Sequence, residues 1–135
     1  MNSDKLKNII KQGENETTEF KRRWNDKYLK TICAFANTNG GIMLIGIDDD
    51  KSVIGVKGFK IELELLPNKI KNNLGITVGI STIDLQSKII IQVEITKSFA
   101  PISYHGKFFV RSGSVTTELK GGELNQFLLK KFGKT

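Results

Sequence analysis

Residues 32–50 read ICAFANTNGGIMLIGIDDD. Ile32, Cys33 and Ala36 continue a helical spacing that begins at Tyr28 and Leu29, so the stretch opens as the end of an amphipathic helix capped by Asn25 or Asp26. Gly40 stands where a helix stop needs a left-handed residue, and Gly41 allows a sharp reversal. Residues 42–47 are apolar on both faces, the mark of a central strand covered on two sides. Gly46 leaves room for close approach of another backbone, and Asp48, Asp49 and Asp50 follow at the strand's C-terminal end. Lys51 and Ser52 then turn the chain into residues 53–56, which predicts a hairpin over 42–56.

On the N-terminal side, residues 4–12 form a short helix with Leu6, Ile9 and Ile10 on one face, Asp4 as cap and Gly13 as stop. Residues 17–21 suit a strand with Phe20 inward and Glu19 and Lys21 on the opposite face, where the pair reads as a solvated contact on an edge strand. On the C-terminal side, residues 61–73 form a helix that Pro67 kinks or shortens. Residues 76–85 and 88–95 form a hairpin about Gln86-Ser87, residues 104–110 a last strand, and Leu124, Phe127, Leu128 and Phe132 the face of a final helix. The expected order is αβαββαβββα. This is an α+β fold, one mixed-sheet domain over residues 1–135 with helices packed on it and a core from about 6 to 132.

Composition bounds the function. The 135 residues suit one domain, and no apolar run approaches a membrane span, so the chain is expected to be cytoplasmic and to have no membrane partner. One cysteine, Cys33, excludes a disulfide framework. The net charge of +7 comes from 18 Lys and 3 Arg against 14 acids, which favours polyanionic partners contacted through phosphates. Lys21, Arg22, Arg23, Lys107 and Arg111 are the candidate nucleic-acid contacts. With His105 as the one histidine, neither a multi-histidine metal site nor a Ser-His-Asp triad is available. Gly133-Lys134-Thr135 resembles the end of a phosphate loop, but Leu128 stands where its first glycine belongs. ATP binding is not supported by these residues.

Three acids stand out: Glu14, Glu19 and Asp48. Carboxylates on a phosphate-attracting surface call for a hard divalent cation, Mg²⁺ or Mn²⁺, which could activate water against a phosphodiester. Glu14 and Glu19 lie an odd number of residues apart, so they converge only if Glu14 sits in the loop before the strand.

Glu14 to Lys21 (EXXXXEFK), AFANTNGGIMLIGIDD over 34–49, and P-x-x-Y from Pro101 followed by FFVRSGS over 108–114 resemble the Schlafen-type Alba-like domain, also labelled divergent AAA-4. The likeness runs from about Leu6 to Phe132. It implies a Schlafen/Alba-like α+β fold and a DNA- or RNA-binding domain of transcriptional-regulator type. Animal Schlafens use this fold in two lobes to cleave tRNA and rRNA with three carboxylates and a metal. By that resemblance Glu14, Glu19 and Asp48 are metal ligands and catalytic acids, and Lys21 is the lysine beside the second acid. One lobe alone implies a homodimer for a comparable cleft. Two alternatives to simple binding thus stand: a metal-dependent endoribonuclease, and a non-catalytic dimerisation module using Phe108, Phe109 and Phe132.

Overall fold

A computed structural model describes residues 1–133. Its elements are α1 (Ser3–Gln12), β1 (Thr18–Lys21), a 3₁₀ turn (Asp26–Tyr28), α2 (Leu29–Asn37), β2 (Gly41–Ile45), α3 (Phe59–Leu74), β3 (Gly79–Leu85), β4 (Lys88–Ile95), β5 (Phe109–Ser112), β6 (Val115–Glu118) and α4 (Gly121–Phe132). Four strands form a mixed sheet in the order β1-β2-β4-β3, with β1 and β2 parallel and the other pairs antiparallel. A separate two-stranded hairpin pairs β5 with β6.

The apolar strand at 42–47 is covered on both sides as its composition requires. Met43 and Ile45 join α2, α3 and Phe109 in the larger core, whereas Leu44 and Ile47 join Leu6 and Ile10 of α1, Phe20, Leu85 and Ile90 in the smaller one. Neighbouring β-carbons point to opposite faces, so two helical layers can be served by one strand. Phe20 is buried and Glu19 lies on the other face, toward α2.

The α2–β2 turn depends on two glycines. Gly40 has φ +72°, and a β-carbon there would stand 2.7 Å from the Ile95 carbonyl oxygen. At Gly41 it would stand 2.7 Å from both the Phe35 ring and the Thr17 carbonyl oxygen. Helix end and strand start are therefore packed directly on their neighbours.

Several expectations are corrected. The α1 cap is Asn2, whose side chain accepts from the Lys5 N–H, and Asp4 sits in the first turn. No hairpin spans 42–56: Ile47 and Val53 form one isolated bridge, and β4 takes the sheet position beside β2. Pro67 neither starts nor stops α3, which runs on to Gly75. Residues 104–107 make a tight turn with a single bridge, so the expected strand at 104–110 shifts to β5, and β6 is an additional strand. With alternating polar Thr116, Thr117 and Glu118, β6 lacks the apolar signal that marks a strand. The observed order is αβαβαββββα. The β3–β4 hairpin does turn at Gln86-Ser87, both at positive φ as a mirror-image two-residue turn demands. Lys134 and Thr135 lie outside the described residues.

Gly40→Ala is expected to cost about 3 kcal/mol or more, because left-handed strain adds to a backbone collision. Gly75→Ala, at φ +69° with nothing within 4 Å, should cost only about 1 kcal/mol. Urea unfolding of the two variants checks the difference.

Candidate functional site

Glu14 lies in the α1–β1 loop, where Gly13 ends the helix at φ +85°. Its Oε2 accepts from the Phe20 N–H at 2.9 Å, and its carboxyl lies near enough to that of Glu19 for the two to interact. The two acids thus converge. Partial burial, then the Glu19 contact, raises the Glu14 carboxyl above its ordinary value.

Glu19 is not the solvated edge residue its pattern suggests. Only 7% exposed, it accepts from Arg111 Nη1 at 2.9 Å and stands 3.3 Å from Lys21 Nζ. Arg111 is likewise withdrawn from the expected basic surface at 5% exposure. Besides Glu19, its guanidinium donates to Thr116 Oγ1 and to the carbonyls of Asn15, Glu16 and Thr18. The guanidinium carbon lies 4.7 Å from the Phe35 ring centroid. Its donors are all directed into the protein, so it clamps β5 to the β1 segment instead of contacting a ligand.

Asp48 does not complete a trio. Arg22 Nη1 donates to its Oδ2 at 2.8 Å, and the Asp49 N–H caps its Oδ1. The Ser52 side chain, then the Ser52 N–H that donates to Asp50 Oδ1, holds the Asp50 carboxyl below the usual range. Asp48 to Ser52 therefore fold as a self-bonded turn. Among the described residues no three His, Cys, Asp or Glu side chains stand together to hold a metal. Glu19 and Asp48 each already face cationic side chains, so the set as placed does not fit a resident Mg²⁺ or Mn²⁺ ion.

Neither Cys33 nor His105 adds chemistry to the site. Burial pushes the Cys33 thiol up to about 11, and its Sγ donates to the Ile102 carbonyl, so no thiolate nucleophile is available at neutral pH. His105 occupies an exposed turn at φ +52°, against the Tyr104 ring. Of the three phenylalanines expected at an interface, Phe109 is in the core, Phe108 packs on Phe127, and Phe132 alone is exposed.

A basic, aromatic face does assemble around the start of α2. Lys21 Nζ lies 4.3 Å and Lys27 Nζ 5.7 Å from the Tyr28 ring centroid, and Trp24 meets that ring edge-on. Lys30 Nζ lies 5.9 Å from the ring of Phe109, two residues after exposed Lys107. Arg22 and Arg23 are exposed beside them. Sequence reading missed Lys27 and Lys30. Their signal was a three-residue spacing across a helix start whose first turn carries no acid, where cations oppose the helix dipole. The acid that precedes them, Asp26, is held by Lys69 and the Trp24 indole N–H.

A family model described as Schlafen, AlbA_2 matches residues 14–120. Among solved structures, the DIP2311 protein from Corynebacterium diphtheriae aligns with a TM-score of 0.70 and 14% identity over 95% of this chain, which spans 32% of that protein. The N-terminal domain of a RecG-related DNA helicase protein from Nitrosomonas europaea aligns with a TM-score of 0.59 and 20% identity, over 88% of this chain and 93% of that one. At these identities the likeness is one of fold. No helix among the described residues is long and apolar enough to cross a membrane.

Two outcomes are expected for the acids. Glu19→Ala should destabilise the fold by about 3–5 kcal/mol in urea unfolding, because it strands a buried guanidinium, so a loss of function in that variant would report folding first. Glu14, raised in the folded state, favours folding below its unfolded value and loses that contribution as pH rises through the folded one. The stability of Glu14→Gln relative to the parent should therefore increase from about pH 4 to about pH 7 in thermal melts.

Proposed function

Because the chain belongs to the Schlafen AlbA_2 family, we propose that it is a nucleic-acid-binding module that grips phosphates through the face at the start of α2. The observation that carries this reading is the row Lys21, Lys27 and Lys30 set against Tyr28 and Phe109, with Arg22, Arg23 and Lys107 nearby. Lysines supply sequence-independent attraction to phosphates, and the partly exposed rings of Tyr28 and Trp24 offer stacking surface to unpaired bases, whereas buried Phe109 only seats Lys30. The net charge of +7 adds a long-range field of the same sign. With three arginines in all, one of them buried, base reading by bidentate arginine is a minor part of the recognition. The module thus acts as a general holder of strands, on which a regulator-like role at DNA would depend on partners for sequence choice.

Fluorescence anisotropy with duplex DNA, single-stranded DNA and tRNA across a salt series tests the reading. Binding should weaken with salt, and Lys27→Ala with Lys30→Ala should reduce the slope by about 0.7–0.9 for each phosphate that is no longer neutralised. An unchanged slope would remove the face from the reading. Parallel lanes with Mn²⁺ decide the hydrolytic alternative: cleavage that disappears in Glu14→Gln but persists in the lysine variant would replace binding by endoribonuclease chemistry.

A further inference from the structure

A second concentration of positive charge lies at the other end of α2. There the turn Asn37-Thr38-Asn39, Lys97 after β4, and Phe127, Lys130 and Lys131 of α4 line a cleft of about 260 Å³. No acid lines it. Lys130 and Lys131 alone would be read as last-turn cations that complement the helix dipole. Lys97 comes from a different element and converges on the same cavity, which dipole complementation does not explain.

The cleft is built to tolerate an anion. A helix C-terminus normally presents open carbonyls that repel negative charge. Here the Ala34 carbonyl accepts from Thr38 Oγ1, that of Phe35 from the N–H groups of Thr38 and Gly40, and that of Ala36 from the Ser98 N–H. Lys131 Nζ donates to the Ser98 carbonyl and lies 5.6 Å from the Phe127 ring centroid, which fixes α4 against the 96–98 segment. Lys97 and Lys130 are exposed and have no ion-pair partner among the described residues. An aromatic wall beside two such ammonium groups lowers the local dielectric and strengthens their pull on an anion.

We infer that this cleft is a phosphoryl-group site, distinct from the face at the start of α2, that receives a terminal or free polyphosphate. Its volume is below the roughly 300 Å³ at which pockets begin to enclose a drug-sized ligand, so it takes the phosphate part and leaves the remainder outside. Two lysines suit a multiply charged terminal phosphate better than one singly charged phosphodiester. Phe127, Lys130 and Lys131 follow residue 120, where the family match ends, so the site joins the matched region to an element outside it.

The test is an NMR titration of the full chain with tripolyphosphate. Shifts should concentrate at Thr38, Asn39, Lys97 and Lys130, and Lys97→Ala with Lys130→Ala should weaken the titration at least tenfold. Both lysines are solvent-exposed, so the double variant should keep the parent's melting curve. Lys27→Ala with Lys30→Ala should titrate as the parent does, so the cleft and the strand-holding face can fail separately. Oligonucleotides with and without a 5′ phosphate identify the source. Preference for the phosphorylated strand, lost in Lys97→Ala with Lys130→Ala, assigns a strand end; equal binding of both strands beside a saturable tripolyphosphate titration assigns a free polyphosphate. Absence of shifts at the cleft, or equal titration of parent and cleft variant, overturns the inference.

Discussion

Arg111 is the tie on which the assembly of this chain depends. It reaches from β5 across a sequence separation of 92 residues to Glu19, and its remaining donors bind the carbonyls of the loop that brings Glu14 toward β1. A guanidinium buried to this extent needs both a counter-charge and a full set of acceptors, and the β1 segment supplies both. Asn37 works beside it on the same seam. Its amide donates to the carbonyls of Ile102 and Phe109 and accepts from the Ile102 N–H, so α2 holds the segment leading into β5 as well as the strand itself. Thr38 adds a third tie by accepting from the Arg111 N–H. The NTNGG turn is therefore more than a reversal: its side chains dock the β5–β6 hairpin.

This seam decides what the acidic residues can do. Charge that would have been available to a cation at Glu19 is directed to Arg111 and Lys21, and that at Asp48 to Arg22. Of the three acids, Glu14 has no ion pair among the described residues; it is held by one backbone N–H, and partial burial and the nearby Glu19 carboxyl raise it. A trio that reads as a metal centre in sequence becomes, in space, one structural ion pair, one turn and one raised carboxyl. The exposed Lys27, Lys30, Lys97 and Lys130 take no part in these ion pairs among the described residues. Glu19 is the one buried acid among the described residues and Arg111 is its buried counter-charge, so the excess of 21 bases over 14 acids stays at the surface.

The chain's own pattern settled much of the architecture. Helical spacing from Tyr28 to Ala36, two glycines at the reversal and an apolar strand on both faces are local properties, and α2, the turn and β2 formed where they dictate. The β3–β4 turn at Gln86-Ser87 and the loop position of Glu14 were legible for the same reason. What only the tertiary structure decided were choices among partners distant in sequence: β4 instead of residues 53–56 beside β2, Arg111 inside instead of outside, Arg22 on Asp48, and Lys97 with Lys130 around one cleft. Periodicity says which face of an element is buried, because burial follows side-chain direction along one segment. It does not say which charge will meet which, because that depends on how separate segments close on each other and on which ion must be compensated once water is gone.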